Sequence, residues 1–369
     1  MPHPEDRPII STADDAILAK LATVKAGYYE DPYLEPFRRH AAGISEQDSH
    51  TRSRRQVQPI IKRGTHARVS CMDRAVSSFL QYKPETSKLQ IVVLGSGKDT
   101  AYFRHCQQEN NAQWYEVDHA SVIQNKSAIV QETPDIFQNT SVQKLPHGFI
   151  LKTSNRKTNN GDTPTENTIK TCHLVEHDLR KPSETLIQKL QQTDGFDDQA
   201  PTLFLLECVL MYIPVDASHD ILQTITKHFP KAYLCCYEPI LGSDAFGNVM
   251  EQNLVHAGVA VTNSCLLKTR TLEAQLDKVI TCGFQMAIGC DMYSAYETVM
   301  TAEQRRRANQ CEFLDEVEEW MLIMRHYCFL VATTTPSDDF SKIFCGVGPK
   351  SALGFLQGKC VEKTVSSSC

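Results

Sequence analysis

The stretch Leu89–Thr100, LQIVVLGSGKDT, constrains the fold of this chain more than any other. A continuous apolar run ends in Gly95-Ser96-Gly97 and leads into a helical pattern, which is typical of a buried parallel strand and its crossover turn. The glycines have two interpretations: the sharp turn itself needs them, or they let a ligand approach the backbone. Thr100 occupies the place of the third glycine of the dinucleotide fingerprint. That difference disfavours a bound pyrophosphate and favours a smaller nucleoside.

Strand-like and helix-like segments alternate along the chain after this turn. Strands that alternate with helices pair in parallel, so the pattern predicts an α/β fold with a mostly parallel, doubly wound sheet. Seven strands are predicted, beginning at Leu89, Gln113, His173, Thr202, Ala232, Phe284 and Arg325.

The chain shows one composition regime and no internal repeat, which predicts a single domain over residues 14–333. Within it, residues 151–170 form a polar insertion, either a solvated loop or a hairpin. The hydrophilic residues 41–58, which include several arginines, are predicted to be a mobile loop. Residues 1–13 are predicted to be a flexible arm, and residues 334–369 a poorly ordered tail.

Charge and cysteine content exclude several classes of function. The net charge is −6, and the only basic runs are short ones at Arg52–Arg55 and Arg305–Arg307, so nucleic acid is not an expected partner. The fourteen cysteines are scattered without a C-x-x-C pair, which indicates reduced thiols in a cytoplasmic protein rather than disulfides or a metal site. No apolar run approaches membrane-spanning length, so a membrane partner is not predicted either.

Acidic residues follow several of the predicted strands. Asp118 ends the second strand 23 residues after Gly95, close to the separation of about 20 at which an acid meets a ribose. An ordinary helix N-cap is the alternative role. Asp178 and Glu207 end two further strands, and Tyr212 lies just beyond. The carboxyl ends of parallel strands share one edge, so we expect an acid-lined crevice suited to the hydroxyls, amines and sulfonium of S-adenosylmethionine.

Two cations lie outside this pattern. Lys20 belongs to a helix predicted over Asp14–Lys25, away from its apolar stripe, where a solvated surface charge is the ordinary interpretation. Arg68 precedes an amphipathic helix predicted from Val69. A cation at a helix N-terminus is electrostatically unfavourable, so its position indicates either an anionic partner or a surface salt bridge.

Motifs in matching order over about residues 15–330 resemble the leucine carboxyl methyltransferases. They include GYYEDPY, RGTHARV, LGSGKDT, WYEVDH, HDLR, LLECVLMYIP, YEPILGSDAFGNVMEQNL, and EFLDEVEE with RHYC. The resemblance implies the seven-stranded class I methyltransferase fold, with N-terminal helical elements and insertions, and S-adenosylmethionine as the cofactor. It implies an enzyme that methylates a C-terminal leucine α-carboxylate, with the tail of the type 2A protein phosphatase catalytic subunit as substrate and partner.

The resemblance also implies roles on the methionine side of the cofactor. Lys20 and Arg68 match positions that contact its carboxylate region, and Gly95 matches a contact under the glycine turn. Glu207 matches a further contact on the methionine side. Tyr212 matches a residue near the point of methyl transfer, and together with Arg68 it is expected to orient the reacting groups.

On the nucleoside side, Asp118 matches the acid that binds the ribose, and Asp178 and Leu179 match the pair that clamps the adenine. The sequence departs from the family at Thr65-His66, where an aromatic pair is expected, and the insertion at 151–170 has no match.

The similarity ends near Phe329, and three other functions stay open. One is a catalytically impaired phosphatase-binding protein. Another is a tRNA wybutosine-type carboxyl methyltransferase, although that family is much longer and carries a repeat domain. The third, a nicotinamide-dependent oxidoreductase, is disfavoured by Thr100.

Overall fold

The computed structural model describes residues 7–39, 57–82, 88–107, 112–156, 167–259 and 263–335. Outside these ranges lie the first residues of the predicted arm, nearly all of the predicted loop at 41–58, the middle of the polar insertion, and the tail from residue 336.

The described residues form one mixed sheet of nine strands, in the order β3-β4-β5-β2-β1-β6-β7-β9-β8. β5, β2, β1, β6 and β7 are parallel neighbours, whereas β9 runs antiparallel between β7 and β8. The strands are β1 Leu89–Leu94, β2 Ala112–Asp118, β3 Thr140–Leu145, β4 Gly148–Arg156, β5 Asn167–Glu176, β6 Thr202–Glu207, β7 Ala232–Pro239, β8 Met286–Asp291 and β9 Tyr327–Thr333.

The sheet confirms the predicted α/β class and all seven predicted strands, and it adds β3 and β4. These two strands pair antiparallel with each other, and β4 pairs antiparallel with β5. The polar insertion at 151–170 is therefore a hairpin in its described parts. β3 was not predicted because its side chains are half-exposed or exposed, and the strand therefore has no apolar run in the sequence.

Helices connect the strands and cover both faces of the sheet. They are α1 Arg7–Lys25, α2 Glu35–Arg39, α3 Pro59–Gln81, α4 Ala101–His105, α5 Ala120–Glu132, α6 Ser183–Gln191, α7 Val215–His228, α8 Ala245–His256, α9 Cys265–Lys268, α10 Leu272–Thr281, α11 Met292–Thr298, α12 Ala302–Cys311 and α13 Val317–Arg325, with a 3₁₀ turn at Leu210–Tyr212.

Three helix predictions were wrong in their boundaries. α1 begins at Arg7, so residues 7–13 are helical and not part of a flexible arm. α3 begins at Pro59, which places Arg68 in the middle of the helix and removes the argument from the helix N-terminus. The long helix predicted over residues 301–324 is two helices, because the backbone at Glu312 is extended.

β1 shows why the sheet is covered on both sides. Its six residues are all buried, as the continuous apolar run predicted. Ile91 and Val93 pack into one hydrophobic cluster with α1 and α3, while Val92 and Leu94 pack into a second cluster with α6, α7 and α10. Successive side chains of a strand point to opposite faces, so a strand buried on both faces is apolar throughout.

β9 is complete although the family resemblance ends near Phe329. Tyr327–Thr333 pairs with β7 along its whole length and with β8 from Cys328 to Thr333. The end of the sequence similarity therefore does not shorten the sheet. Of the helices in the described ranges, none is both long and apolar enough to cross a membrane.

Three of the buried histidines have a lowered pKa. Burial lowers the pKa of each imidazole, His66, His173 and His177, to about 4. The ordinary pKa is about 6.5, so between pH 4 and 6.5 the unfolded chain binds more protons than the folded chain. Stability conferred by the neutral imidazoles is complete above pH 6.5 and is lost as the pH falls toward 4.

We expect the substitution His173→Phe to flatten this pH dependence. The His173 ring stacks on Tyr115 at 5.2 Å, and its Nδ1 has no hydrogen-bond partner among the described residues, so a phenyl ring can replace it. Because the variant has one titrating imidazole fewer, the slope of the unfolding free energy against pH should fall by at most about 1.4 kcal/mol per pH unit. Urea unfolding at pH 4.5, 5.5, 6.5 and 7.5 measures the slope. An unchanged slope would show that this imidazole is not held neutral.

Candidate active site

A cavity of about 560 Å³ lies at the carboxyl ends of β1, β2 and β6. This volume is within the range of sites for small molecules and cofactors. α1 and α3 form one wall, and the 3₁₀ turn at Leu210–Tyr212 forms part of another. All eight predicted site residues line this one cavity: Lys20, Arg68, Gly95, Asp118, Asp178, Leu179, Glu207 and Tyr212.

The glycine turn after β1 needs Gly95 for its own geometry. The residue has a φ of +65°, and a Cβ on it would lie 2.7 Å from Cγ2 of Val209. Its backbone N–H donates to the carbonyl oxygen of Val117 at 2.8 Å. The fold therefore requires glycine here whether or not a ligand approaches, and the motif alone could not have separated the two interpretations.

Asp118 is the last residue of β2 and not a helix cap. Its Oδ2 accepts the N–H of Gly97 at 2.7 Å, and its Oδ1 accepts the N–H of His119 at 2.6 Å. The N-cap of α5 is His119, whose ring nitrogen accepts from Ser121. Burial raises the pKa of Asp118. An ionised carboxylate offers about four acceptor sites, so two remain for ligand hydroxyls.

The Asp178 carboxylate is fixed by Arg180, which donates from its backbone N–H at 3.0 Å and from Nε and Nη2 at 2.9 and 2.8 Å. Burial raises the pKa of Asp178, but these hydrogen bonds outweigh it and the net shift is downward. Leu179 is buried beside it. The pair presents one charged oxygen surface and one apolar surface to the same end of the cavity.

The carboxylate of Glu207 joins both predicted cations. Lys20 Nζ lies 3.3 Å from Glu207 Oε1 and 3.0 Å from Asp99 Oδ1, and Arg68 Nε donates to Glu207 Oε1. Lys20 is only 4% exposed, so the surface-charge interpretation was wrong. Burial raises the pKa of Glu207, but Arg68 and Lys20 lower it by more, so the carboxylate is ionised. The Arg68 guanidinium also lies 5.0 Å from the ring centre of Tyr237.

Sequence reasoning missed Asp99 and the residues that hold it. Arg104 donates to Asp31 at 2.9 Å and to Asp73 at 2.7 Å, and it lies 3.7 Å from Asp99. Asp99 stands inside the opening motif, yet its role depends on Lys20, 79 residues earlier. The apolar wall contributed by the first turns of α1 was also missed, because those residues were predicted to be an arm.

Two buried polar atoms on residues of the cavity wall have no hydrogen-bond partner in the described part of the chain. They are Ser96 Oγ and His177 Nε2, on residues 4% and 5% exposed. Buried polar groups are almost always paired, so a polar ligand is the expected partner. With carboxylates for hydroxyls and an amine, and cations beside Glu207 for a carboxylate, the residues present fit S-adenosylmethionine.

Comparison with known proteins agrees with this chemistry. Residues 9–226 match the sequence model of the leucine carboxyl methyltransferases. The chain belongs to the leucine carboxyl methyltransferase family. The resemblance predicted from the motifs is thus confirmed, and so is S-adenosylmethionine as the cofactor of this methyltransferase.

Three relatives in this leucine carboxyl methyltransferase family match along nearly their whole length. Leucine carboxyl methyltransferase 1 of Yarrowia lipolytica is 27% identical over 89% of this chain and 98% of its own. The Arabidopsis thaliana homolog is 31% identical over 87% of this chain and 88% of its own. The Aspergillus fumigatus protein is 30% identical over 93% and 86%.

Substitution by alanine at two glycines of the cavity wall should change the unfolding free energy in opposite directions. Gly95→Ala puts a Cβ against Val209 at a positive φ, so we expect a loss of at least about 1–2 kcal/mol of unfolding free energy. Gly64 lies inside α3, and a Cβ there would lie 3.7 Å from Sδ of Met324, so Gly64→Ala should gain about 0.5–1 kcal/mol. Chemical unfolding measures both variants, and shifts of the same sign would contradict this account of the turn.

Proposed function

We propose that this methyltransferase esterifies the α-carboxylate of a C-terminal leucine, and that its substrate is the tail of the type 2A protein phosphatase catalytic subunit. The observation that carries the proposal is the grouping of Lys20, Glu207 and Arg68 at the end of β6, beside Tyr212 in one cavity. The names of the relatives support leucine as the residue modified. The phosphatase comes from the family resemblance of the motifs.

The reaction needs no general base. A terminal carboxyl group has a pKa of about 3.3–3.7, so it is already ionised at neutral pH. S-adenosylmethionine, when bound, supplies a methyl group activated by the sulfonium. The work left to the protein is to hold the carboxylate oxygen in line with that methyl and to exclude water, and orientation of this kind can supply roughly 7–11 kcal/mol.

Arg68 is suited to orienting anionic groups in the cavity. Its Nε donates a hydrogen bond to Glu207, and its guanidinium lies over the ring of Tyr237. Its two terminal amino groups hydrogen-bond to no described residue. A guanidinium held in this way can donate two parallel hydrogen bonds to a carboxylate.

The apolar part of the cavity suits a leucine side chain. Ile61 and Thr65 from α3 line it, together with Ile323 and Met324 from α13. Thr65 is one of the positions at which the sequence departs from the family. The departure leaves a smaller side chain at this wall, which accommodates an acceptor residue of leucine size.

The proposal includes a cytoplasmic location. The cysteines of the described ranges are free thiols, and most of them are buried. Reduced, buried thiols are usual in cytosolic proteins.

A methyl-transfer assay tests the proposal. Radiolabelled S-adenosylmethionine is incubated with the full chain and with phosphatase catalytic subunit that either ends in leucine or lacks that leucine. We expect base-labile label only on the first. Binding of the phosphatase without label would indicate an impaired phosphatase-binding protein, and label on tRNA instead would indicate the RNA-modifying activity; either result would overturn the proposal.

Arg68→Ala should lower the rate of methyl transfer by roughly 100-fold or more, because one misplaced group in an oriented reaction costs about that much. Arg306→Ala is the matched control. The exposed Arg306 side chain lies on α12 and, among the described residues, pairs only with Glu303, so its loss should leave the rate unchanged. Initial rates at saturating cofactor measure both variants. A rate for Arg68→Ala within about twofold of wild type would refute its orienting role.

A further inference from the structure

Glu238 on β7 binds a run of backbone next to the cavity. The residue is 2% exposed, and its carboxylate accepts three successive N–H groups. Oε1 accepts those of Val209 and Leu210, each at 2.9 Å, and Oε2 accepts that of Met211 at 3.2 Å. Val209 lies between the end of β6 and the 3₁₀ turn, and Leu210 and Met211 are the first two residues of that turn.

The backbone at this connection is unusual. Cys208 has a φ of +56°, which a residue with a Cβ adopts only when its surroundings enforce it. Val209 follows with φ −119° and ψ −54°. The N–H groups of Val209, Leu210 and Met211 stand at the start of the 3₁₀ turn, where they have no partner within the turn and can together bind an anion. Here the anion that fills the site is the carboxylate of Glu238, from the neighbouring strand.

The connection carries cavity residues at both ends. Glu207 immediately precedes residues 208–212, and Tyr212 is the last of them. Between the two, Val209 packs against Gly95. We propose that Glu238 is a positioning residue, whose carboxylate fixes the backbone of residues 208–212 and so holds Tyr212 in place for methyl transfer. This inference rests on the proposed function.

The charge of Glu238 is buried at a cost to stability. Burial raises the pKa of Glu238, and Lys278 with the three N–H groups lowers it only in part. Lys278 is itself buried, with Nζ 2.7 Å from Oε1 of Gln275 and 3.3 Å from Sγ of Cys265. Burial of a charged carboxylate in a core is costly, whereas three N–H groups on one short turn need an anion to organise them.

The test compares Glu238→Gln with a matched control. Glutamine keeps the size of the side chain but turns an amino group toward backbone donors. Asp291→Asn is the control, because Asp291 also ends a strand and accepts a backbone N–H, that of Ser294 at 2.7 Å, but does not line the cavity. Each full-length variant is measured for kcat, for S-adenosylmethionine affinity by calorimetry, and for hydrogen exchange in peptides that cover residues 208–213.

For Glu238→Gln we expect kcat to fall about 10- to 100-fold and exchange at residues 208–213 to quicken by at least about tenfold. Affinity for S-adenosylmethionine should stay within about threefold of wild type, because the cofactor contacts are not touched. In a Tyr212→Phe background, Glu238→Gln should change kcat by less than about threefold, since the two act through one group. Asp291→Asn should match wild type in kcat, in affinity and in exchange at residues 208–213.

Unchanged exchange at residues 208–213 in Glu238→Gln would overturn the inference, and so would losses in kcat that multiply with those of Tyr212→Phe. If the wild-type chain transfers no methyl group, the proposed function fails, while the exchange comparison still decides whether Glu238 fixes this backbone. If Glu238→Gln does not fold, Glu238→Asp replaces it. Aspartate keeps the charge but withdraws the oxygens by one methylene, and the same direction of change is expected.

Discussion

The carboxylate of Glu207 is the contact on which the cavity depends. It receives Lys20 from α1 and Arg68 from α3, so one side chain at the end of β6 ties two helices to the sheet. The partners stand 187 and 139 residues away in sequence. Because Lys20 and Glu207 are nearly removed from water, loss of the Glu207 carboxylate would leave the Arg68 cation without its ion-pair partner among the described residues. The residues that would bind a charged ligand therefore also hold the walls together.

Three carboxylates near the carboxyl ends of the parallel strands β2, β6 and β7 have different roles because they have different partners. Glu207 holds cations. Asp118 accepts two backbone N–H groups and keeps acceptor sites for a ligand. Both oxygens of Glu238 accept backbone N–H groups of the turn after β6, and the residue lies behind the cavity wall. Residue type and strand position are similar in all three. Only their partners in the folded chain show which carboxylate is available to a ligand and which one supports the backbone.

The periodic and strand-end features were predictable, and the long-range features were not. The seven strands and the position of Asp118 follow from local patterns, which the sheet then brings to one edge. The burial of Lys20 depends on partners far along the chain, so a local pattern assigns it to the surface. The start of α3 was missed because the helical apolar repeat was recognised only from Val69 onward, although the helix begins at Pro59 and Gly64 lies inside it near Met324. Glu238 was overlooked because its partners are backbone N–H groups. Almost every residue type has such a group, so the sequence does not indicate which ones a carboxylate binds.

The place of β9 sets the order in which a newly made chain can close its sheet. β9 is the last strand of the described residues, yet it lies between β7 and β8. Until residues 327–333 have left the ribosome, both of these strands present open edges that can pair with other chains. A shortened transcript or a stalled ribosome would thus yield an aggregation-prone fragment and not a smaller working enzyme.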